Sequence, residues 1–183
     1  MGFKKWFGSS DDETAELAYV EYTLGIMQVG FLVDYDLKTW QVTGYGTYDY
    51  DGYETEEWEL TADRQVHFLE RGEEDGKQIW TLTRAIDLGE IEGDIAAAII
   101  AADDPPEEVR FEGRTYEGTE SSAGLYRKGG DGAEREFVTW SFAAEDGLLL
   151  FINQRGDRDF SAYAGSAVEE YQFTDILPAG REG

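Results

Sequence analysis

The chain has no cysteine and only one histidine among its 183 residues. Disulfide frameworks, thiolate metal sites and cysteine nucleophiles are therefore excluded, which fits a cytoplasmic protein. A Ser-His-Asp triad would have to use His67, and no Gly-x-Ser-x-Gly elbow accompanies it. His67 sits in the alternating run Val66-His-Phe-Leu69, where it reads as a structural or surface residue on the polar face of a strand. Long apolar runs are also missing. The longest aliphatic stretch, Ile95 to Ala102, is far short of the roughly 20 residues that span a bilayer. The segment Gly2–Gly8 lacks a following apolar stretch, so no secretory leader is expected.

Positive charge is scarce. Fifteen basic residues face 40 acidic ones, for a formal net charge of −25. Such a surface repels phosphate backbones, so nucleic acid is not an expected partner. The carboxylates read as a solvated face, and adaptation to high salt is a sharper explanation of the same composition. Hydrophobic residues still make up 41% of the chain and aromatics 14%, enough for a core. The 11 Tyr, 10 Phe and 5 Trp favour strands, because planar rings pack well on a pleated surface.

The order of these residues predicts a mainly β fold. From Val20 onward, short apolar and aromatic runs alternate with turn signals, and four Asp-Gly steps (51–52, 75–76, 131–132, 146–147) lie between such runs. Asp-Gly tolerates the left-handed backbone of tight hairpins, which argues for antiparallel sheet. The Ala-rich stretch before Pro105-Pro106 predicts a short helix over about 94–102. Beyond it the first half recurs. Val33-Asp-Tyr-Asp-Leu-Lys-Thr-Trp40 is echoed by Val109-Arg-Phe-Glu-Gly-Arg-Thr-Tyr116, Glu57-Trp-Glu-Leu60 by Thr139-Trp-Ser-Phe142, and Phe68-Leu-Glu-Arg-Gly72 by Phe151-Ile-Asn-Gln-Arg-Gly156. The expected architecture is two pseudo-repeated antiparallel units packed as a sandwich or barrel-like pair, joined by one short helix. The corresponding boundaries are a tip and linker at 1–19, a first β unit at 20–86, a helix and Pro linker at 87–108, a second β unit at 109–178, and a tail at 179–183.

Candidate contact residues fall in two places. On a helical turn Phe3, Trp6 and Phe7 would share one side, with Lys4 and Lys5 opposite, a basic aromatic tip suited to a membrane interface or a protein partner. Tyr48, Tyr50 and Tyr53 cluster around a loop, where they either form a binding platform or cover a hairpin. Asp49-Tyr-Asp-Gly52 starts like a calcium loop but lacks its later ligands and reads as a hairpin tip. Gly129-Gly-Asp-Gly132 lacks the Lys-Ser/Thr of a phosphate loop and reads as a turn. Glu54, Glu56, Glu57 and Glu59 alternate around Trp58 on what reads as a solvent-facing strand. No catalytic residue, metal site or cofactor is indicated.

The ordered set Arg110-Phe-Glu-Gly-Arg-Thr-Tyr116, Glu136-Phe-Val-Thr-Trp-Ser-Phe142, Leu150-Phe-Ile152 and Ala164-Gly-Ser-Ala-Val-Glu-Glu-Tyr-Gln-Phe-Thr-Asp-Ile-Leu-Pro178 resembles the bacterial and archaeal domain of unknown function DUF4178. Val33-Asp-Tyr-Asp36, Trp40-Gln-Val-Thr-Gly44 and Glu56-Glu-Trp-Glu-Leu60 extend the likeness over about residues 25–178. The resemblance brings no activity or catalytic residues. It implies a setting near phage-shock-type membrane-stress proteins, polyamine-synthase-like enzymes and small membrane proteins. Two functions are therefore expected: a binding or adaptor module in a membrane-stress complex, cytoplasmic and peripheral to the membrane, or a carboxylate-lined sensor or enzyme for polyamines or cations.

Overall fold

The computed structural model describes residues 22–178. They form eleven antiparallel strands and one α-helix. The first half contributes β1 (Leu32–Tyr35), β2 (Lys38–Asp49), β3 (Glu54–Ala62), β4 (Gln65–Glu74) and β5 (Lys77–Ile86). Helix α1 (Ile95–Ala102) follows. The second half repeats the order with β6 (Glu108–Phe111), β7 (Arg114–Lys128), β8 (Glu134–Ala143), β9 (Leu148–Gln154) and β10 (Phe160–Val168), and the short β11 (Thr174–Leu177) ends the sheet.

Turn chemistry explains the meander. All four Asp-Gly steps lie between neighbouring antiparallel strands: β2–β3, β4–β5, β7–β8 and β8–β9. Asp51-Gly52 and Asp75-Gly76 have φ of 60°, 94°, 51° and 74°. Two consecutive positive values match the right-handed twist of the flanking strands. The echoed turns Asp36-Leu37 and Glu112-Gly113 are left-handed in the same way. Helix α1 is capped by Asp94, whose Oδ1 accepts from the Ala97 N–H at 3.0 Å, and it ends at Asp103 in the left-handed conformation before the proline pair.

The halves join into a ring rather than a sandwich. The strand order β2-β3-β4-β5-β10-β9-β8-β7 closes because β2 also pairs with β7, giving eight strands in a ring that departs from a regular barrel. One seam is β5–β10, from Trp80↔Val168 to Ile86↔Ala162; the other is β2–β7, from Gly46↔Lys128 to Asp49↔Leu125. Glycine permits the close approach at both. A Cβ at Gly165 would lie 2.0 Å from the Leu82 carbonyl oxygen, and one at Gly124 2.5 Å from that of Asp49. Arg127 adds an ionic clasp at the second seam, reaching Asp49 at 3.4 Å and Glu134 at 3.1 Å. The halves even share their irregularity: a bulge interrupts β2–β3 between Val42 and Gly44, and β7–β8 between Gly118 and Glu120.

Each half buries its own apolar cluster. In the first, Trp40, Trp58, Leu60, Leu69 and Trp80 pack under Leu24, Met27 and Phe31 of the chain preceding β1. In the second, Trp140, Phe142, Leu150 and Ile152 pack under Ile91, Ile95 and Ile99. The stretch expected to act as a linker thus supplies the lid of the second cluster. Strand β11 pairs with β1, and Phe173 stacks on Tyr35 at 4.5 Å, so the end of the second half completes the first. No helix among the described residues is long and apolar enough to cross a membrane.

Candidate functional site

Strand alternation sends the apolar clusters to one face and leaves the other face of the ring a mixture of polar, acidic and aromatic side chains. In β3, Trp58 and Leu60 enter the first cluster while Thr55 and Glu57 face the ring interior. In β8 and β9, Trp140, Phe142, Leu150 and Ile152 turn to the second cluster, and Thr139, Ser141, Phe151 and Asn153 turn inward. The interior surrounds a cavity of about 640 Å³ to which all eight ring strands contribute. Eight-stranded barrels either fill this space with side chains or use it to hold one small ligand.

The cavity's most unusual feature is a pair of acids. Glu57 on β3 and Glu70 on β4 are direct cross-strand partners, and both line the cavity. The next pair in the register, Glu56 and Arg71, has opposite charges, forms an ion pair and lies on the other face. There Arg71 sits over the rings of Trp58 and Trp80, at 5.7 and 5.9 Å. The same hairpin therefore compensates charge outside the ring and opposes like charges inside it, an arrangement that destabilises a sheet. Both inner carboxylates are half-buried, exposed through the cavity they line. Burial, then the charge of Glu70, pushes the Glu57 carboxyl up to about 8, despite a hydrogen bond donated by the Tyr48 hydroxyl to Oε2 at 3.1 Å and the opposing charge of Arg155, just past the end of β9. Burial also raises Glu70, opposed by the Thr55 hydroxyl, which donates to Oε1 at 2.7 Å.

The three tyrosines singled out by sequence line this cavity too. Tyr48 is buried, with its ring 4.9 Å from Tyr126 and edge-on to Phe137 at 5.3 Å; Tyr50 meets Phe137 edge-on at 5.4 Å. Burial raises the pKa of both hydroxyls, so they stay protonated donors. The Tyr53 hydroxyl donates to the Glu73 carbonyl at 2.6 Å and accepts from the Glu73 N–H, pinning the hairpin tip to β4. Covering a hairpin and walling a site are thus roles of one cluster.

Other residues marked by sequence fall elsewhere. Phe3, Lys4, Lys5, Trp6 and Phe7 lie outside the described residues. His67 stacks on Trp40 at 4.5 Å, and burial, followed by the charges of Arg84 and Lys38, lowers its pKa. Asp49–Gly52 is a hairpin tip in which Asp49 Oδ1 accepts from the Gly52 N–H at 2.8 Å. Among the described residues no group of three or more His, Asp or Glu side chains is placed to hold a metal ion. The expected solvent-facing acidic strand needs correction: Glu57 points into the cavity, because it is out of phase with Trp58. Glu70, Thr139 and Asn153 stood in the sequence only as members of the repeated motifs, with nothing to mark them as site residues. The register would have revealed Glu70, since the closing pair Ala62↔Gln65 at the β3–β4 turn places it opposite Glu57.

A family described as "Domain of unknown function (DUF4178)" matches residues 28–170. An "Uncharacterized protein" of Aquifex aeolicus (strain VF5) is 30% identical over 183 residues, covering 97% of this chain and 99% of the relative. No solved structure matches.

Proposed function

The chain belongs to the DUF4178 family, and from that premise we propose that its ring cavity binds a small organic cation, an amine held by Glu57 and Glu70. The carrying observation is the half-buried, directly opposed acid pair on the cavity wall. Two carboxylates enclosed together are costly to ionise, and an ammonium group between them offsets both desolvation and mutual repulsion. The cavity, at about 640 Å³, has the size of a small-molecule site and exceeds what a bare ion needs. Tyr48, Tyr50 and Phe151 offer ring surface to an alkyl chain or cation. The net charge of −25 concentrates cations at the surface.

Isothermal titration of the full chain at pH 8 and moderate salt, with butylamine, 1,4-diaminobutane, spermidine, Ca²⁺ and Mg²⁺, tests this. Saturable one-to-one amine binding that disappears in the Glu57→Gln/Glu70→Gln double variant is expected. Amine binding that persists unchanged in that variant would reflect surface counterions and reject the site. An adaptor role for the tip, Phe3 to Phe7, in a membrane-stress complex is compatible with this reading, since the ring is built from residues 38–168. Deleting residues 1–8 should then abolish liposome or membrane-fraction binding while leaving amine binding intact.

A further inference from the structure

The cavity has two walls of common design and different charge. Glu57↔Glu70 in β3–β4 and Thr139↔Asn153 in β8–β9 are both direct cross-strand pairs. They occupy matching places in the two halves. Glu57 and Thr139 each precede an outward tryptophan, Trp58 and Trp140, while Glu70 and Asn153 each follow an outward aliphatic residue, Leu69 and Ile152. All four line one cavity. Where the first wall carries two acids, the second carries a hydroxyl and an amide, each 8% exposed. Asn153 Oδ1 has no hydrogen-bond partner within the protein. A buried amide without a full set of partners is rare in folded proteins unless something else supplies them. Ser122, the register partner of Thr139, adds another hydroxyl to the second wall. Glu120 also borders the cavity, but it is exposed and occupied by the Ser122 hydroxyl at 2.7 Å.

Resting on the amine-site reading, we infer that the ligand is asymmetric: a cationic amine at Glu57 and Glu70, and a neutral hydroxyl or amide that hydrogen-bonds Thr139 and Asn153 across the ring. An amide side chain both donates and accepts, so it pairs with either group. A second ammonium would meet no buried carboxylate on that wall and would lose hydration without compensation. A purely alkyl end would leave the buried amide unpaired.

The test compares chain-length series of alkylamines, amino alcohols and diamines, three to six carbons long, by titration calorimetry at pH 8. The best amino alcohol should bind at least tenfold more tightly than the alkylamine of equal length. Thr139→Val and Asn153→Leu should each erode that advantage while leaving alkylamine affinity within about threefold. Two substitutions are used so that one folding failure, monitored by circular dichroism, does not remove the comparison. Equal affinities for amino alcohols and alkylamines would overturn the inference while leaving the amine site standing. A diamine preferred over both, with its advantage lost in Glu120→Gln, would overturn it in favour of a dication. Absence of binding by all three series would instead reject the site itself.

Discussion

Glu57→Gln should make this protein more stable at neutral pH while removing its ligand. In the unfolded chain the Glu57 carboxyl ionises near its ordinary 4.5; in the folded ring it holds its proton up to about 8. A raised carboxyl contributes its full stability below pH 4.5, and that contribution falls as pH rises toward 8, because the unfolded state alone releases the proton. At about 1.36 kcal/mol per pH unit, the full gap corresponds to about 5 kcal/mol, of which about 3 kcal/mol is already lost at pH 7. Glutamine cannot ionise, has nearly the same shape and keeps an oxygen for the Tyr48 hydroxyl. Urea unfolding of wild type and variant at pH 5, 6, 7 and 8 isolates the pair, since carboxylates distant from Glu57 cancel in the difference and only Glu70 is coupled to it. The variant should gain little at pH 5 and about 2–3 kcal/mol at pH 7 to 8, the lower figure allowing for solvent in the cavity. Two curves running parallel from pH 5 to 8 would refute the placement of Glu57 in a protein-enclosed site. Stabilisation with unchanged amine affinity would separate the buried acid from the proposed ligand.

Three further outcomes follow from the same geometry. Amine affinity should rise as pH increases from 6 to about 8, as the Glu57 carboxyl ionises, with calorimetry in buffers of different ionisation enthalpy reporting proton release; pH-independent affinity would contradict it. Gly165→Ala, whose new Cβ would meet the Leu82 carbonyl oxygen at the β5–β10 seam, should cost about 3 kcal/mol or more in urea unfolding, and a loss below 0.5 kcal/mol would mean the seam is looser than described. The melting temperature should climb between 0.05 and 1 M KCl as salt screens the net charge of −25; a flat response would count against salt adaptation as the reason for the acidity.

Local features of this fold were legible from sequence because local chemistry sets them. The Asp-Gly steps mark hairpins, and the alanine run ending at Pro105-Pro106 is helix α1, Ile95–Ala102. The repeated motifs fall on matching strands, with Val33 and Val109, and Trp40 and Tyr116, buried in corresponding places. Ring closure was legible only as one of two alternatives, a sandwich or a barrel-like pair. Strands β2 and β7 meet across more than seventy residues, and neither carries a mark that distinguishes a sandwich from a ring. The site was hidden for a related reason. In a chain with 40 acidic residues, Glu57 and Glu70 look like solvated surface until register and phase place them together. The tyrosines stood out because three aromatics near one turn are conspicuous by type, whereas Thr139 and Asn153 become notable only through their position.

Strand β11 has a consequence for the time course of folding. It forms a ladder with β1, although their central residues are separated by nearly the whole described chain. Val168 and Phe173 belong to the cluster built around Trp40 and Trp58. During synthesis, the amino-terminal half therefore leaves the ribosome without the residues that finish its core. The second half has α1 and β6–β10 at hand almost as soon as they emerge. Closing so large a loop costs entropy before any contact compensates for it, so the half made first should be consolidated last. In pulsed hydrogen exchange during refolding, amides of β8 and β9 should gain protection before those of β1. A chain truncated after residue 168 should retain the protected second half while its first half stays open to exchange.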